Sequence, residues 1–169
     1  MDAAAREEFR RYVAARSGAL LRTATLLTGD RTLAEDLVQT ALARTYLAWG
    51  RIRDREAVDA YTRRVLVTTY ATWWRLKWRG ETPHDQLPDP PGRDPYGQVD
   101  AGLALRAALA RLPRRMRAVV VLRYWDDLSA AEVADLLGCS VGTVQSQAFR
   151  GLAKLRSDAD VVTLREETR

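Results

Sequence analysis

The side chains best placed to do chemistry in this chain are Thr143, Ser146, Gln147, Arg150 and Lys154, which recur at helical spacing on one stripe without a carboxylate. Their chemistry is recognition. At base edges in the major groove Arg pairs with guanine and Gln with adenine, while Ser or Lys holds phosphate. A plain solvated helix face is the alternative. Groups for bond making are scarce: His84 is the only histidine and Cys139 the only cysteine, and neither has partners for nucleophilic catalysis or a metal site. The expectation is a protein that is no enzyme and uses no cofactor and no metal, with Cys139 a small buried residue.

Two short helices must position that stripe. Ser129 and Glu132 are spaced as a capping box, Val133, Leu136 and Leu137 give the first helix its apolar positions, and Gly138 supplies a left-handed stop. Ser140 then caps a second helix whose inward stripe is Val141, Val144, Ala148, Leu152 and Leu155. The pair reads as a helix-turn-helix with its second helix offered to DNA.

The 169 residues suffice for one domain or two small ones, and 47% hydrophobic content suits a folded chain. A net charge of +5 favours a polyanionic partner without requiring one. A single cysteine forms no internal disulfide, and no apolar run has the length of a membrane span or signal-peptide core, so the expected compartment is the cytoplasm, without membrane insertion.

A first helix is expected over residues 2–27, its stripe of Phe9, Val13, Leu20, Ala24 and Leu27 interrupted near Ser17 and Gly18. Gly29 and Asp30 end it. A Thr32–Glu35 capping box opens a second helix, which buries Ala34, Leu37, Val38, Ala41, Thr45 and Trp49 and turns Asp36, Thr40, Ala43 and Leu47 outward. That outward row either docks on a protein or is simply solvated. A third helix over residues 55–79 carries Arg63, Arg64, Arg75, Lys77 and Arg79 among Tyr70, Trp73, Trp74 and Trp78. Unpaired bases stack on such rings while cations hold their phosphates. An aromatic stripe is more commonly core; Trp74 and Trp78 are expected to be structural, and Trp73 to be either core or a base platform.

Pro83, Pro88, Pro90, Pro91 and Pro95 break helix after Gly80, and between residues 81 and 100 five acids face one base. This is a flexible acidic tether, extended by self-repulsion or lying in a positively charged channel. Beyond it a helix over residues 99–111 carries Leu103, Leu105, Leu109 and Leu112. Pro113 opens another, ending at Trp125, whose Arg114, Arg115, Arg117 and Arg123 either flank DNA or are ordinary surface charge. The tail after Ser157 has weak periodicity and is expected to be frayed.

The expected fold is therefore all-α, two small helical domains joined by a Pro-rich linker, the second ending in the helix-turn-helix. In this order the parts resemble the extracytoplasmic-function (ECF) sigma factors of bacterial RNA polymerase, most closely their actinobacterial SigE-like branch. The resemblance covers residues 6–156 and is carried by GDRTLAEDLVQTALARTYLAW at 29–49, RRVLVTTYATWWR at 63–75 and the block at 112–156 that starts LPRRMRAVVVLRYW. It implies region 2 at residues 1–79, a linker at 80–98, region 4 at 99–157 and a tail at 158–169. It also implies partners: polymerase core through its beta-prime clamp helices and beta flap, promoter DNA, and a possible anti-sigma factor. The core-binding residues implied are Asp36, Gln39, Thr40, Ala43 and Leu47. Capture of unpaired minus-10 bases falls to the loop at residues 50–59 with Arg63, Arg64, Thr68, Trp73 and Arg75, and duplex minus-35 reading to Thr143, Gln145, Ser146, Gln147, Phe149, Arg150 and Lys154. Thr68 stands where relatives commonly have Asn, Thr40 where they have Glu, and Gln145 and Gln147 where many carry Lys or Arg. Fewer cations weaken the salt-dependent phosphate contribution and leave adenine readable, which implies a promoter preference of its own.

Two other classes compete. A polymerase-independent regulator would use the helix-turn-helix as a dimer, yet no clean heptads mark a dimerisation helix. A helical adaptor leaves the acid-free stripe unexplained.

Overall fold

The computed structural model describes residues 2–54, 56–80 and 100–157, with side chains except at 75–80 and at 100–101. The expectations for the acidic tether, for the tail, for the Trp78 ring and for the Arg75 side chain lie outside the described residues. The chain divides into two compact units, Met1–His84 and Asp85–Arg169. Every regular element among the described residues is helical.

The first unit is three long helices. α1 (Ala3–Thr28) starts at Asp2, whose carboxylate accepts the Ala5 N–H at 2.7 Å, and stops at Gly29, whose φ of 71° is costly for any residue with a Cβ. Ser17 and Gly18 do not break it. Its stripe is uneven: Ala24 and Leu27 are buried, whereas Phe9, Val13 and Leu20 are only half-buried. α2 (Arg31–Ala48) follows after two residues, and here the sequence reading needs correction. The cap is Asp30, which accepts the Leu33 N–H at 2.8 Å, and not Thr32; Glu35 instead pairs with Arg31 at 3.0 Å. One left-handed glycine reverses the chain so tightly that the residue expected to finish α1 already begins α2. The inward stripe of α2 is buried at Ala34, Leu37, Val38, Ala41, Thr45 and Trp49, as its period requires.

α3 (Ala57–Gly80) buries Val58, Leu66, Val67 and Tyr70 against the other two helices. Among its described side chains the buried polar groups find partners. Thr62 Oγ1 donates to the Val58 carbonyl at 2.9 Å, and the Tyr70 hydroxyl donates to the Leu27 carbonyl at 2.9 Å.

The second unit is built from shorter pieces: α4 (Asp100–Ala110), α5 (Arg114–Val120), α6 (Ala130–Leu137) and α7 (Val141–Ser157). Leu109 and Leu112 are buried, but Leu103 is 42% exposed, so only the C-terminal half of the α4 stripe reaches core. α5 runs on into one π-helical stretch, Val121–Trp125, where the Asp126 N–H reaches back five residues to the Val121 carbonyl. Met116 to Leu122 are buried without interruption, including Arg117 at 5% exposure. A helix enclosed all round cannot present that arginine to a DNA backbone. Of the four arginines expected to do so, Arg114 and Arg115 are exposed, and Arg123 is half-buried with Nη1 donating to the Leu128 carbonyl at 2.6 Å.

α5 and α7 approach closely at Gly151. A Cβ there would stand 2.5 Å from Val120 Cγ2 and 3.1 Å from Met116 Cγ, so only glycine lets α7 lie this near.

Candidate nucleic-acid and partner interfaces

In the second unit, local chemistry sets the α6–α7 turn. Ser129 Oγ accepts the Glu132 N–H at 3.1 Å while Glu132 accepts the Ser129 N–H at 2.7 Å, completing the expected capping box. Gly138 takes φ 65°, and the Cys139 N–H then closes onto the Ala134 carbonyl at 3.0 Å, with the cysteine half-buried. Ser140 Oγ accepts the Thr143 N–H at 3.1 Å and lies 2.8 Å from Thr143 Oγ1.

α7 buries Val144, Ala148, Gly151 and Leu155. Gln145, Ser146, Phe149, Arg150 and Lys154 are exposed, Thr143 and Gln147 half-buried. The Thr143 hydroxyl thus shares a hydrogen bond with the cap, and the fully exposed face begins at Gln145. Phe149 is 75% exposed, and Val141, expected inward, is 42% exposed because the helix's first residue projects past the core. The face combines amide, hydroxyl and guanidinium groups for base edges with apolar groups that suit thymine methyls. Its only charges are cationic.

In the first unit Arg64 is exposed, and Arg63, Thr68 and Trp73 are half-buried along α3. The Thr68 hydroxyl donates to the Arg64 carbonyl at 2.8 Å, leaving its oxygen able to accept. Trp74 is half-buried like Trp73 and lies 6.3 Å from the Tyr70 ring, so burial alone does not separate the two tryptophans. The loop before α3 is held by local hydrogen bonds: the Arg51 N–H donates to the Ala48 carbonyl at 2.8 Å, and the Glu56 N–H donates to the Asp54 side chain at Oδ1, 2.9 Å away.

On α2 the outward row is exposed at Asp36, Ala43 and Leu47 as expected, while Thr40 is only half-buried; Gln39, which the resemblance adds to the row, is exposed as well. Leu47 is 79% exposed. Beside the row lies an apolar cleft of about 470 Å³, lined by Phe9 and Val13 of α1 and by Gln39, Leu42, Ala43, Tyr46 and Leu47 of α2. Phe9, Val13, Leu42 and Tyr46 escaped the sequence reading, which counted the α1 pair as core.

Tyr12 bridges these parts. Its hydroxyl donates to Thr62 Oγ1 at 2.8 Å, and burial of the phenol raises its pKa above the ordinary value. Among the described residues no group of three or more His, Cys, Asp or Glu is placed to hold a metal ion, and no helix is long and apolar enough to cross a membrane.

Comparison with known proteins gives two family matches: residues 12–80 match Sigma-70 region 2, and residues 102–155 match Sigma-70, region 4. The chain is 44% identical over 167 residues to an RNA polymerase sigma-E factor of Streptomyces coelicolor, covering 96% of this chain and 94% of that one. It is 34% identical over 137 residues to the ECF RNA polymerase sigma factor SigM of Mycobacterium tuberculosis, covering 80% of this chain and 69% of the relative. Among solved structures, the sigma factor RpoE of Bartonella quintana, crystallised with the anti-sigma factor NepR, aligns with a TM-score of 0.68 at 22% identity, over 92% of this chain and 98% of that one. That last likeness concerns the fold.

Proposed function

The chain belongs to the ECF family of RNA polymerase sigma factors, which direct promoter recognition for transcription initiation, and on that footing we propose which residues divide the work. α7 reads the minus-35 element as duplex through Gln145, Ser146, Phe149, Arg150 and Lys154, with Thr143 and Gln147 at the edge of the contact. The single observation that carries this is an exposed face with amide, hydroxyl, aromatic and cationic groups and no carboxylate, on the second helix of a capped helix-turn-helix. Bidentate Arg150 selects guanine and Gln145 adenine.

Arg63, Arg64, Thr68, Trp73 and Arg75, with the stretch at residues 50–59 that comprises the α2–α3 loop and the first residues of α3, capture minus-10 bases that have left the duplex. Stacking on Trp73 and cationic grip on phosphates supply the binding energy for strand separation. Thr68 offers a shorter and weaker hydrogen-bonding group than an amide.

Polymerase core docks on the α2 row of Asp36, Gln39, Thr40, Ala43 and Leu47, and the adjoining cleft accepts an apolar side chain of the clamp helices. Region 2 then spans residues 1–79, the linker 80–98, region 4 residues 99–157 and the tail 158–169. The chain works in the cytoplasm and adds no nucleotides itself; that chemistry belongs to the polymerase. An anti-sigma factor that covers these faces would silence it, as the anti-sigma complex of the Bartonella relative suggests.

Two moderate DNA contacts held on one assembly gain effective concentration that neither has alone. Promoter fragments are therefore expected to shift poorly with the free chain and orders of magnitude more tightly with added core polymerase. Arg150→Ala should abolish minus-35 dependence, and Leu47→Asp should prevent co-elution with core. Equal promoter binding with and without core would refute the assignment.

A further inference from the structure

The loop that joins α2 to α3 is held at both ends by one face of α1. At its entrance Trp49 is buried, with the Phe9 ring 5.1 Å away in an edge contact and the Tyr12 ring 5.5 Å away. At its exit Arg16 of α1 forms an ion pair with Asp59 in the first turn of α3, and the Tyr12 hydroxyl donates to Thr62 one turn later. Phe9, Tyr12 and Arg16 lie three and four residues apart, so they share a helix face, and Tyr12 touches both ends. Thr62 is fully buried, and its Oγ1 lies 3.2 Å from Thr45 Oγ1, so the same node ties in α2.

These contacts are directional. The Arg16 and Asp59 side chains are 52% and 34% exposed, in the range where an ion pair adds little to stability because water screens it. It nevertheless fixes where the first turn of α3 stands. The Tyr12 O–H, protonated at neutral pH like any phenol, is the donor to Thr62.

We propose that Tyr12 and Arg16 are positioning residues for base capture: from a helix that carries none of the assigned DNA contacts, they set the distance and angle between the two ends of the minus-10 loop. This rests on the assignment of that loop to the minus-10 element. A positional error of the order of an ångström costs up to about a hundredfold where groups must meet a reacting or binding partner in fixed geometry, and removal of one of two ties should cost about tenfold.

The test uses holoenzyme reconstituted from the full chain and core polymerase. Tyr12→Phe and Arg16→Asp are each compared with the charge-swapped double variant Arg16→Asp, Asp59→Arg. Three readouts are taken: melting temperature of the free chain, open-complex formation on a duplex promoter and on single-base variants of its minus-10 element, and initiation from a template already mismatched across that element. The expected result is an about tenfold slower open complex with a flattened preference among minus-10 bases for both single variants, little change in melting temperature, recovery on the pre-melted template, and partial rescue by the swap. Wild-type rates and base preference in both single variants would overturn the proposal. So would a loss that follows a lowered melting temperature and persists on the pre-melted template, since that is a general folding defect. A wild-type holoenzyme indifferent to every minus-10 base would instead overturn the loop assignment beneath it, and the two failures are thus told apart.

Discussion

The two units hold their helices together by different means. The first has long helices joined by side-chain hydrogen bonds across the core, with Thr23, Thr45, Thr62 and Thr69 all buried. The second has shorter helices whose buried positions, among the described residues, are apolar except for Arg117, and it depends on caps at Ser129 and Ser140 and on close approach at Gly151. Hydrogen bonds constrain direction, and apolar packing constrains distance. The difference teaches where each unit is vulnerable: the first to loss of orientation, the second to changes of volume.

The largest effects should come from core truncation, with the units responding separately. Leu122→Ala and Leu66→Ala remove fully buried side chains from the second and first units, and each should cost about 2–5 kcal/mol. In calorimetry each is expected to lower one transition and leave the other in place. A shared drop would break the comparison.

Next comes Gly151→Ala. Val120 is β-branched and cannot swing away cheaply, so the added methyl should destabilise the second unit by about 1–3 kcal/mol. Minus-35 duplex affinity should fall with it, because α7 must move outward. The control Gly102→Ala meets nothing within 4 Å and should be neutral or slightly stabilising.

Ser129→Ala removes the cap that α6, a helix of eight residues, depends on, and about 1 kcal/mol of stability is expected to go with it. Hydrogen exchange should rise first in α6.

The smallest effect separates the units by pH. The Tyr12 pKa is raised in the fold above its ordinary 10.0, so the folded state favours the protonated phenol. Stability is therefore fully present below about pH 10 and declines as pH rises from there through the folded pKa. Denaturant titrations should show that decline in the first unit and show it reduced in Tyr12→Phe.

Much of this was legible in the sequence because it is local. The capping box at Ser129, the left-handed stop at Gly138, the cap at Ser140 and the buried stripe from Ala34 to Trp49 each follow from spacings within one helix. What was not legible depends on two elements meeting. The Asp30 cap was masked because Gly29 and Asp30 also read as the end of the preceding helix. Arg117 looked like surface charge until both sides of α5 were seen to be covered, and Val141 fits the inward period yet lies beyond the core's edge. The apolar cleft takes walls from α1 and α2, so no single-helix pattern contains it.

Phe9 belongs to that cleft and also stands edge-on to Tyr46 and to Trp49, each at 5.1 Å. A side chain seated in the cleft would therefore lean on a ring that also touches Trp49, just ahead of the α2–α3 loop for which the minus-10 role is proposed. Under the proposed assignment, grip on one macromolecule and reach towards another would share this hinge pin. Substituting it would blur two phenotypes into one, and genetic dissection is better begun from Leu47 on one side and Tyr12 on the other.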